Sequence, residues 1–299
     1  VTELDASTGA LVKTISGSAS DWDYPVAMLI DGRHLFVANS GGPVTSPGPN
    51  FVAEFDTSTG ALVRTVPSQG VPGPDGIDQP YALAVSGPYL FVGNGGYTNA
   101  NLNTVAEVQI STGKVVRVLS GGQYDFDSPF ALAVSGPDLF VANMNGGYGN
   151  HGSVTEVDIS TGAPVRYITG PAYHFNSPSS LAVAGPHLFV ADYGADPFNA
   201  AQLGAVTELD ISTGALVKYL SGPAYHFANP QSLAISGSYL LVSNIDGGSL
   251  TCLEASSAAF VAVFSGTKYH LDLPSALAVI GSDVFVANQG SSTVTELQM

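Results

Sequence analysis

Apolar residues in this chain form short runs separated by Gly, Pro, Asn and Asp, and no stretch shows the 3.6-residue period of an amphipathic helix. One repeat shows the pattern clearly, with runs at Ala131–Val134, Leu139–Ala142, Val154–Asp158 and Val165–Ile168. The runs are rich in β-branched and aromatic residues, and turn-forming residues stand between them. The pattern therefore predicts four antiparallel β-strands in this repeat.

The same pattern recurs six times along the chain. The first column of the phrase Leu-Ala-Val…Leu-Phe-Val-Ala-Asn falls at Met28, Leu83, Leu132, Leu181, Leu233 and Leu277, which subtraction places 55, 49, 49, 52 and 44 residues apart. A period near 50 residues with four strands per repeat is typical of propeller blades. We therefore predict an all-β fold, a six-bladed β-propeller of four-stranded antiparallel blades, as one domain over residues 1–299. A β-solenoid, which has shorter and more uniform coils, is the alternative.

The two ends of the chain carry the same strand sequence, Val-Thr-Glu-Leu, at residues 1–4 and 294–297. Third and fourth strands are predicted within residues 1–16, and first, second and third strands at the C-terminal end. The ring is therefore expected to close by N- and C-terminal strands that share the last blade, which removes exposed strand edges. One third strand is then redundant. Either the segment was cut from a longer chain, or the spare strand pairs with a neighbouring molecule and drives self-assembly.

Two recurring segments resemble known propeller repeats. Leu35–Asn39 and Leu139–Asn143, followed by Val-Thr-Glu-Leu-Asp-x-Ser-Thr-Gly, resemble the YVTN repeat, and Phe175–Val183 is similar to NHL repeats. The resemblance covers essentially the whole chain and implies the propeller fold. It does not imply a chemistry, because propellers of these families include enzymes, binding modules and surface-layer proteins. YVTN propellers commonly have seven blades, so the six repeats are a departure.

Composition narrows the classes of partner. Asp and Glu number 24 against 8 Lys and Arg, which gives a net charge of −16, and this excludes the basic surface that nucleic-acid binding requires. No apolar run approaches the ~20 residues of a membrane helix, so membrane insertion is not expected. Gly, Ser, Thr and Asn dominate in place of Lys and Glu, which favours an extracellular or cell-surface protein. A signal peptide is not present in this segment. The single Cys252 excludes an internal disulfide framework and is interpreted as a packing residue.

One charge pattern recurs at a constant offset of ten residues. The third strands carry Glu3, Glu54, Glu107, Glu156 and Glu208, and the fourth strands carry Lys13, Arg64, Arg117, Arg166 and Lys218. In the remaining copy Cys252 and Ala262 replace both partners together. This pattern predicts structural cross-strand ion pairs, since the loss of one partner alone would leave a charge uncompensated.

A second column, that is, a set of equivalent positions in the six repeats, lies four residues before the proline that begins each first strand. Its residues are Asp21, Gly76, Asp125, His174, His226 and His270. If the loops gather at one mouth of the channel, the three His and two Asp make a candidate site for a divalent metal or for acid and base catalysis. There are two other interpretations. Either the residues form a polar rim that binds a ligand, or they are copied loop residues without a ligand, and then no cofactor is expected.

Two further columns are assigned structural roles. Asn39, Asn94, Asn143, Asp192, Asn244 and Asn288 end the second strands and are interpreted as turn formers. His34 and His187 lie in turns at the opposite end of the blades, where a functional site is less expected.

Among the parts of the repeat, the loops between second and third strands vary most in length and sequence. They are long and rich in Gly and Asn in the first four repeats, and they carry Tyr97, Tyr148, Tyr193 and Phe198. Aromatic side chains in adaptable polar loops suit the recognition of a protein or glycan surface.

The leading functional hypothesis is therefore a noncatalytic extracellular or cell-surface propeller that acts as a binding, adhesion or surface-assembly module. The chain has no Gly-rich phosphate-binding motif, Gly-x-Ser-x-Gly elbow, HExxH helix or Cys cluster. The alternative is a metal-dependent lyase or lactone hydrolase with a His/Asp site at the channel mouth. Metal content and chelator-dependent thermal stability discriminate between the two.

Overall fold

The computed structural model describes residues 1–15, 24–41, 50–67, 76–95, 103–194 and 204–299. Their regular structure is almost entirely antiparallel β-strand, and consecutive strands pair into successive sheets. The protein is a six-bladed β-propeller, as the sequence predicts, and within the described residues five of its sheets have four strands and the last has three. The chain forms two compact units, Val1–Gly122 and Gln123–Met299, and the single domain over residues 1–299 stays a prediction.

The first unit contains a hairpin and two four-stranded sheets. The hairpin is β1 (Thr2–Leu4) with β2 (Leu11–Thr14). The sheets are β3 (Pro25–Asp31), β4 (His34–Ser40), β5 (Asn50–Asp56), β6 (Leu62–Pro67), and β7 (Pro80–Ser86), β8 (Tyr89–Asn94), β9 (Thr104–Gln109), β10 (Lys114–Leu119).

The second unit contains three four-stranded sheets and one three-stranded sheet. The first two are β11 (Pro129–Ser135), β12 (Asp138–Asn143), β13 (Ser153–Asp158), β14 (Pro164–Ile168), and β15 (Pro178–Ala184), β16 (His187–Asp192), β17 (Ala205–Asp210), β18 (Leu216–Leu220). The others are β19 (Pro230–Ser236), β20 (Tyr239–Asn244), β21 (Ser249–Glu254), β22 (Phe260–Phe264), and β23 (Pro274–Ile280), β24 (Asp283–Asn288), β25 (Thr293–Gln298). Short 3₁₀ turns lie at Tyr148–Asn150, Pro171–Tyr173, Pro223–Tyr225 and Thr267–Tyr269.

The core lies between the faces of neighbouring sheets. In the second unit, Phe140 and Val154 of one sheet pack with Leu188 and Val190 of the next, and all four are buried. Second and third strands are buried on both faces, which explains why the second strand is a continuous apolar run and does not alternate with polar residues. Cys252 is part of such a core, and burial raises the pKa of its thiol to about 11, in keeping with a packing role.

The C-terminal copy of Val-Thr-Glu-Leu occupies the third-strand position of the last sheet. It lies in β25, which pairs along its length with β24, while β1 pairs with β2 in a separate hairpin. Leu297 and Met299 pack on the buried cluster formed by Leu250, Val284 and Val286. The C-terminal copy is therefore the third strand of this sheet. That one of the two copies is redundant stays a prediction. Closure of the ring by a shared blade stays a prediction.

The register of the third and fourth strands places every Glu of the charge pattern opposite its basic partner. Nitrogen-to-oxygen distances are 3.0 Å for Lys13–Glu3, 2.9 Å for Arg64–Glu54, 2.5 Å for Arg117–Glu107 and 2.7 Å for Arg166–Glu156. Cys252 likewise lies opposite Ala262. The hairpin register used for the sequence argument is therefore the one that the chain adopts.

A bulge in each fourth strand accompanies these pairs. The register shifts between Glu156 and Val157, so that Val165 is skipped and Arg166 faces Glu156. Val165 is exposed, and the bulged residues of the other fourth strands are exposed valines too: Val12, Val63, Val116, Val217 and Val261. Bulges at sheet edges disrupt the ladder and hinder pairing with other chains.

Four of the five basic residues, Lys13, Arg64, Arg166 and Lys218, also reach the next sheet of their unit. Arg166 donates to the carbonyl of Ser212 at 2.9 Å, in the Ser-Thr-Gly turn between β17 and β18, and Arg64 donates to Ser111 at 3.1 Å. Lys13 and Lys218 make the equivalent bonds, to the carbonyls of Thr57 and Ser257. The charge pattern therefore ties a sheet to its neighbour as well as pairing two strands. Spacing within one hairpin did not reveal this second role.

The sheet β11–β14 has an excess of carboxylates around its single base. Asp138 lies opposite Asp158 and near Glu156, and Arg166 is the basic group among them. Burial, and then the charge of Asp158, raises the pKa of Asp138. Burial also raises the pKa of Glu156, and it outweighs the opposite effect of Arg166.

We expect Asp138→Asn to raise the free energy of unfolding by about 0.5 kcal/mol at pH 7. A carboxyl whose pKa is raised by folding destabilises the folded state when it is ionised, so the gain should vanish as pH falls below the ordinary Asp pKa of ~4. Urea unfolding between pH 3.5 and 7.5 measures this. Asp283→Asn is the control, because Asp283 lies opposite the neutral Gln298. A pH-independent effect of Asp138→Asn would contradict the prediction.

Candidate functional site

The loops that enter the first strands of the second unit hold the predicted His and Asp residues in a left-handed backbone. The φ angles are 50° at Asp125, 55° at His174, 56° at His226 and 51° at His270. Three of the loops contain a single 3₁₀ turn that ends at the His. Asp, Asn and His are enriched in this backbone region. Local conformation therefore accounts for the residue types of this column without a ligand.

The His side chains lie against outer strands. The ring of His174 stacks on that of Tyr219 in β18, with centroids 4.3 Å apart, and His226 lies 5.7 Å from Phe260 in β22. Each ring thus contacts the fourth strand of its own sheet. The structure does not bring the imidazoles of His174 and His226 together as ligands of one ion.

The predicted metal site consequently gains no support from the second unit. In the part of the chain that the structure describes, no three His, Cys, Asp or Glu side chains form a group that could hold a metal. Asp21 lies outside the described residues. Metal binding by His174, His226, His270, Asp21 and Asp125 stays a prediction.

The carboxamide column at the ends of second strands does more than form turns. The side-chain oxygen of Asn143 accepts a bond from the amide of Asp127 in the entering loop at 3.4 Å, and its nitrogen donates to Ser153 and Thr155 at 3.1 Å. Asp192, Asn244, Asn288 and Asn94 accept the same loop bond. These side chains are buried, so the column fastens the entering loop to the second and third strands. The sequence signal for this role is the recurrence of Asn or Asp at the position, from which turn formation alone is predicted.

The structure describes part of the loops between second and third strands, which are predicted to bind a partner. Tyr97 and Phe198 lie outside the described residues. Tyr148 forms part of a 3₁₀ turn and its side chain is 57% exposed, whereas Tyr193 is half-buried. Of the four aromatic residues predicted for recognition, Tyr148 is therefore the described one that is available to a partner.

The loop that carries Tyr148 is held from both sides. The amide of Tyr148 donates to the hydroxyl of Thr169 at 2.8 Å, and the amide of Gly152 donates to the carbonyl of Gly146 at 3.0 Å. At its end, the carbonyl of His151 accepts the amide of Ser177, from the next entering loop, at 2.8 Å. Tyr148 is therefore presented by an ordered loop.

His34 and His187, at the opposite end of the sheets, contact buried carboxylates. The Nδ1 atom of His34 lies 2.7 Å from Glu54, and that of His187 lies 3.1 Å from Glu208. Burial raises the pKa of Glu208, and it outweighs the charges of His187 and Lys218. The sequence analysis missed these contacts, because His34 and Glu54 are separated by 20 residues and meet only through the pairing of β4 with β5.

A groove of about 1060 Å³ runs beside β25. Gly248, His270, Asp272 and Val294 are among the residues that line it. No helix of the described residues is long and apolar enough to cross a membrane.

No family model and no curated protein matches the chain. Solved structures do. The computationally designed protein Ika8 is similar over 100% of this chain and 90% of its own, with 16% identity and a TM-score of 0.65. The Pan2 WD40 domain of Neurospora crassa matches over 91% and 74%, with 11% identity and a TM-score of 0.63.

Two further structures extend the comparison. A chain of the nidogen/laminin complex matches over 89% of each chain, with 12% identity and a TM-score of 0.60. BamB from Moraxella catarrhalis matches over 100% and 78%, with 18% identity and a TM-score of 0.55. At these identities the likeness extends to the β-propeller fold and no further, so membership of the YVTN or NHL families stays a prediction.

Proposed function

We propose that this protein is a noncatalytic binding module outside the cell, which recognises a protein or a glycan through the loops between its second and third strands. The observation that carries the proposal is the exposed Tyr148 on an ordered loop. A rigid aromatic side chain gives large contact area at low cost in conformational entropy. Binding loops on other protein scaffolds also make their contacts with rigid aromatic side chains.

One of the similar structures and the net charge of this chain support the proposal. One of the similar structures is a complex of nidogen with laminin, which is an example of a protein–protein assembly that includes a propeller. The net charge of −16 disfavours nucleic acid and anionic membranes as partners. A neutral glycan or a protein with a neutral or basic face is compatible with this charge.

The test compares three proteins on an array of glycans and on a panel of purified surface and matrix proteins. They are the wild type, Tyr148→Ala and Tyr167→Ala, the last a matched control because Tyr167 is also exposed but lies on the outer strand β14. We expect a ligand that the wild type and Tyr167→Ala bind equally and that Tyr148→Ala binds about tenfold more weakly. Ligands that bind all three proteins equally would contradict the proposed surface.

The alternative, a metal-dependent lyase or lactone hydrolase, has its own decisive measurement. Elemental analysis of the purified protein should find no stoichiometric metal, and a chelator should leave its melting temperature unchanged. Stoichiometric zinc, manganese or calcium that is lost on replacing His174, His226 and His270 would overturn the noncatalytic proposal in favour of the enzyme.

A further inference from the structure

The residue before the first-strand proline has a left-handed backbone in all six repeats. The φ angles lie between 47° and 64°, at Tyr24, Gln79, Ser128, Ser177, Asn229 and Leu273. A residue with a Cβ is strained in this region, and glycine is not. None of the six is glycine.

The chain does use glycine at another recurring left-handed position. The turn between the first and second strands contains Gly32, Gly87, Gly136, Gly185, Gly237 and Gly281, with φ between 53° and 63°. Copying of one ancestral repeat does not explain the contrast, because the six pre-proline residues are of five different types. A side chain is retained where the backbone alone would favour glycine, which indicates that the contacts of some of these side chains offset the backbone strain.

Two of the polar side chains bind the first residues of the adjoining loop. The Oγ atom of Ser128 accepts a hydrogen bond from the Asn145 side chain at 3.1 Å, and Ser128 is 3% exposed. The side-chain nitrogen of Asn229 makes a bond of the opposite direction, since it donates to the carboxylate of Asp246. Asn145 and Asp246 are equivalent, since each stands two residues after the Asn that ends its second strand.

The backbone of the same residues holds the same loops. The carbonyl of Ser128 accepts the amide of Met144 at 3.0 Å, and the carbonyl of Asn229 accepts the amide of Ile245 at 3.2 Å. The left-handed conformation thus orients both the carbonyl and the side chain toward the start of the loop. The two bonds fix the direction in which the loop leaves the sheet.

We propose that Ser128 and Asn229 are loop-positioning residues, and that their side chains set the conformation of the loop between second and third strands in their sheets. Together with the proposed function, on which this extension rests, the assignment makes these two positions determinants of partner specificity. We then expect that hydrogen-bonded pairs such as Ser128–Asn145 and Asn229–Asp246 can replace each other in holding the start of the loop.

Hydrogen exchange of the amides in residues 144–152 tests the assignment on the free protein. Ser128→Gly relieves the backbone strain but removes the side-chain bond, and we expect these amides to exchange about tenfold faster than in the wild type. Leu273→Gly is the control. Leu273 has the same backbone and a 40% exposed side chain, so its replacement should raise the melting temperature by about 2–4 °C and leave exchange in residues 289–292 unchanged.

A double variant that copies the second hydrogen-bonded pair tests whether slow amide exchange can be restored. The double variant Ser128→Asn/Asn145→Asp introduces the Asn229–Asp246 combination and should restore exchange in residues 144–152 to within about twofold of the wild type. Exchange that Ser128→Gly leaves unchanged, or that the double variant fails to slow, would overturn the assignment. The measurement needs no partner, so a failure of the proposed binding function and a failure of this assignment are distinguishable.

Discussion

Replacing Glu156 with alanine is expected to lower the free energy of unfolding by about 2 kcal/mol, and adding Arg166→Ala should cost little more. Glu156 is 2% exposed and lies 2.7 Å from the Arg166 guanidinium. Removing the carboxylate leaves a guanidinium whose Nη1 atom is buried. Removing both groups takes away the uncompensated charge, so the two losses should not add.

Arg166→Ala alone should be the most destabilising of the three, at about 3 kcal/mol at pH 7, because it isolates a buried carboxylate and also breaks the bond to Ser212 in the next sheet. Since burial already raises the pKa of Glu156, this single variant should recover stability as pH falls and the carboxyl is protonated. Urea unfolding of the four proteins measures the coupling.

The chain contains its own precedent for the double change, since Cys252 faces Ala262 at the equivalent position of β21 and β22. A Glu156→Cys/Arg166→Ala variant should therefore be at least as stable as the Glu156→Ala variant. Additive losses in the cycle would show that the two side chains do not interact.

Deletion of Val294–Met299 is expected to lower the melting temperature by more than about 10 °C. The deletion removes β25, and Leu297 and Met299 with it, from the cluster of Leu250, Val284 and Val286. Exposing that cluster and the hydrogen-bonding edge of β24 should cost about 4 kcal/mol or more, by comparison with large core truncations. Differential scanning calorimetry measures the change.

Point substitutions in the same strand provide the control. Val294 is 51% exposed, so Val294→Ala should change stability by less than about 0.5 kcal/mol, whereas Leu297→Ala should be clearly destabilising. A deletion variant that melts at the wild-type temperature would mean that another strand replaces β25 in the last sheet.

The sequence predicted the fold because a propeller is built from local hairpins. Each strand of a sheet pairs with the strand next to it in the chain, so alternating runs and turn residues determine register without long-range information. The ten-residue offset between Glu156 and Arg166 is an example. Both residues belong to one hairpin, and their facing positions follow from the turn at Ser160–Gly162.

The candidate site was harder to predict, because side-chain direction depends on loop backbone. A column of His and Asp four residues before a proline suggested ligands around a common centre. The structure gives Asp125, His174, His226 and His270 a left-handed φ. The rings of His174 and His226 lie against outer strands of their own sheets. No periodicity in the sequence encodes that φ, which results from how the entering loop packs on the sheet.

The sequence by itself determined the repeat, the strand order, the hairpin register and the Lys or Arg residue that lies opposite each glutamate of the charge pattern. Only the tertiary structure decided which groups meet across strands or sheets that are distant in the chain: Arg166 with Ser212, His34 with Glu54, and Ser128 with the loop that presents Tyr148. The physical reason is how far apart in the chain the interacting residues are. Hairpin pairing follows from residues within one turn of each other, whereas these contacts depend on the packing of separate strands and loops, which the pattern of a single repeat does not specify.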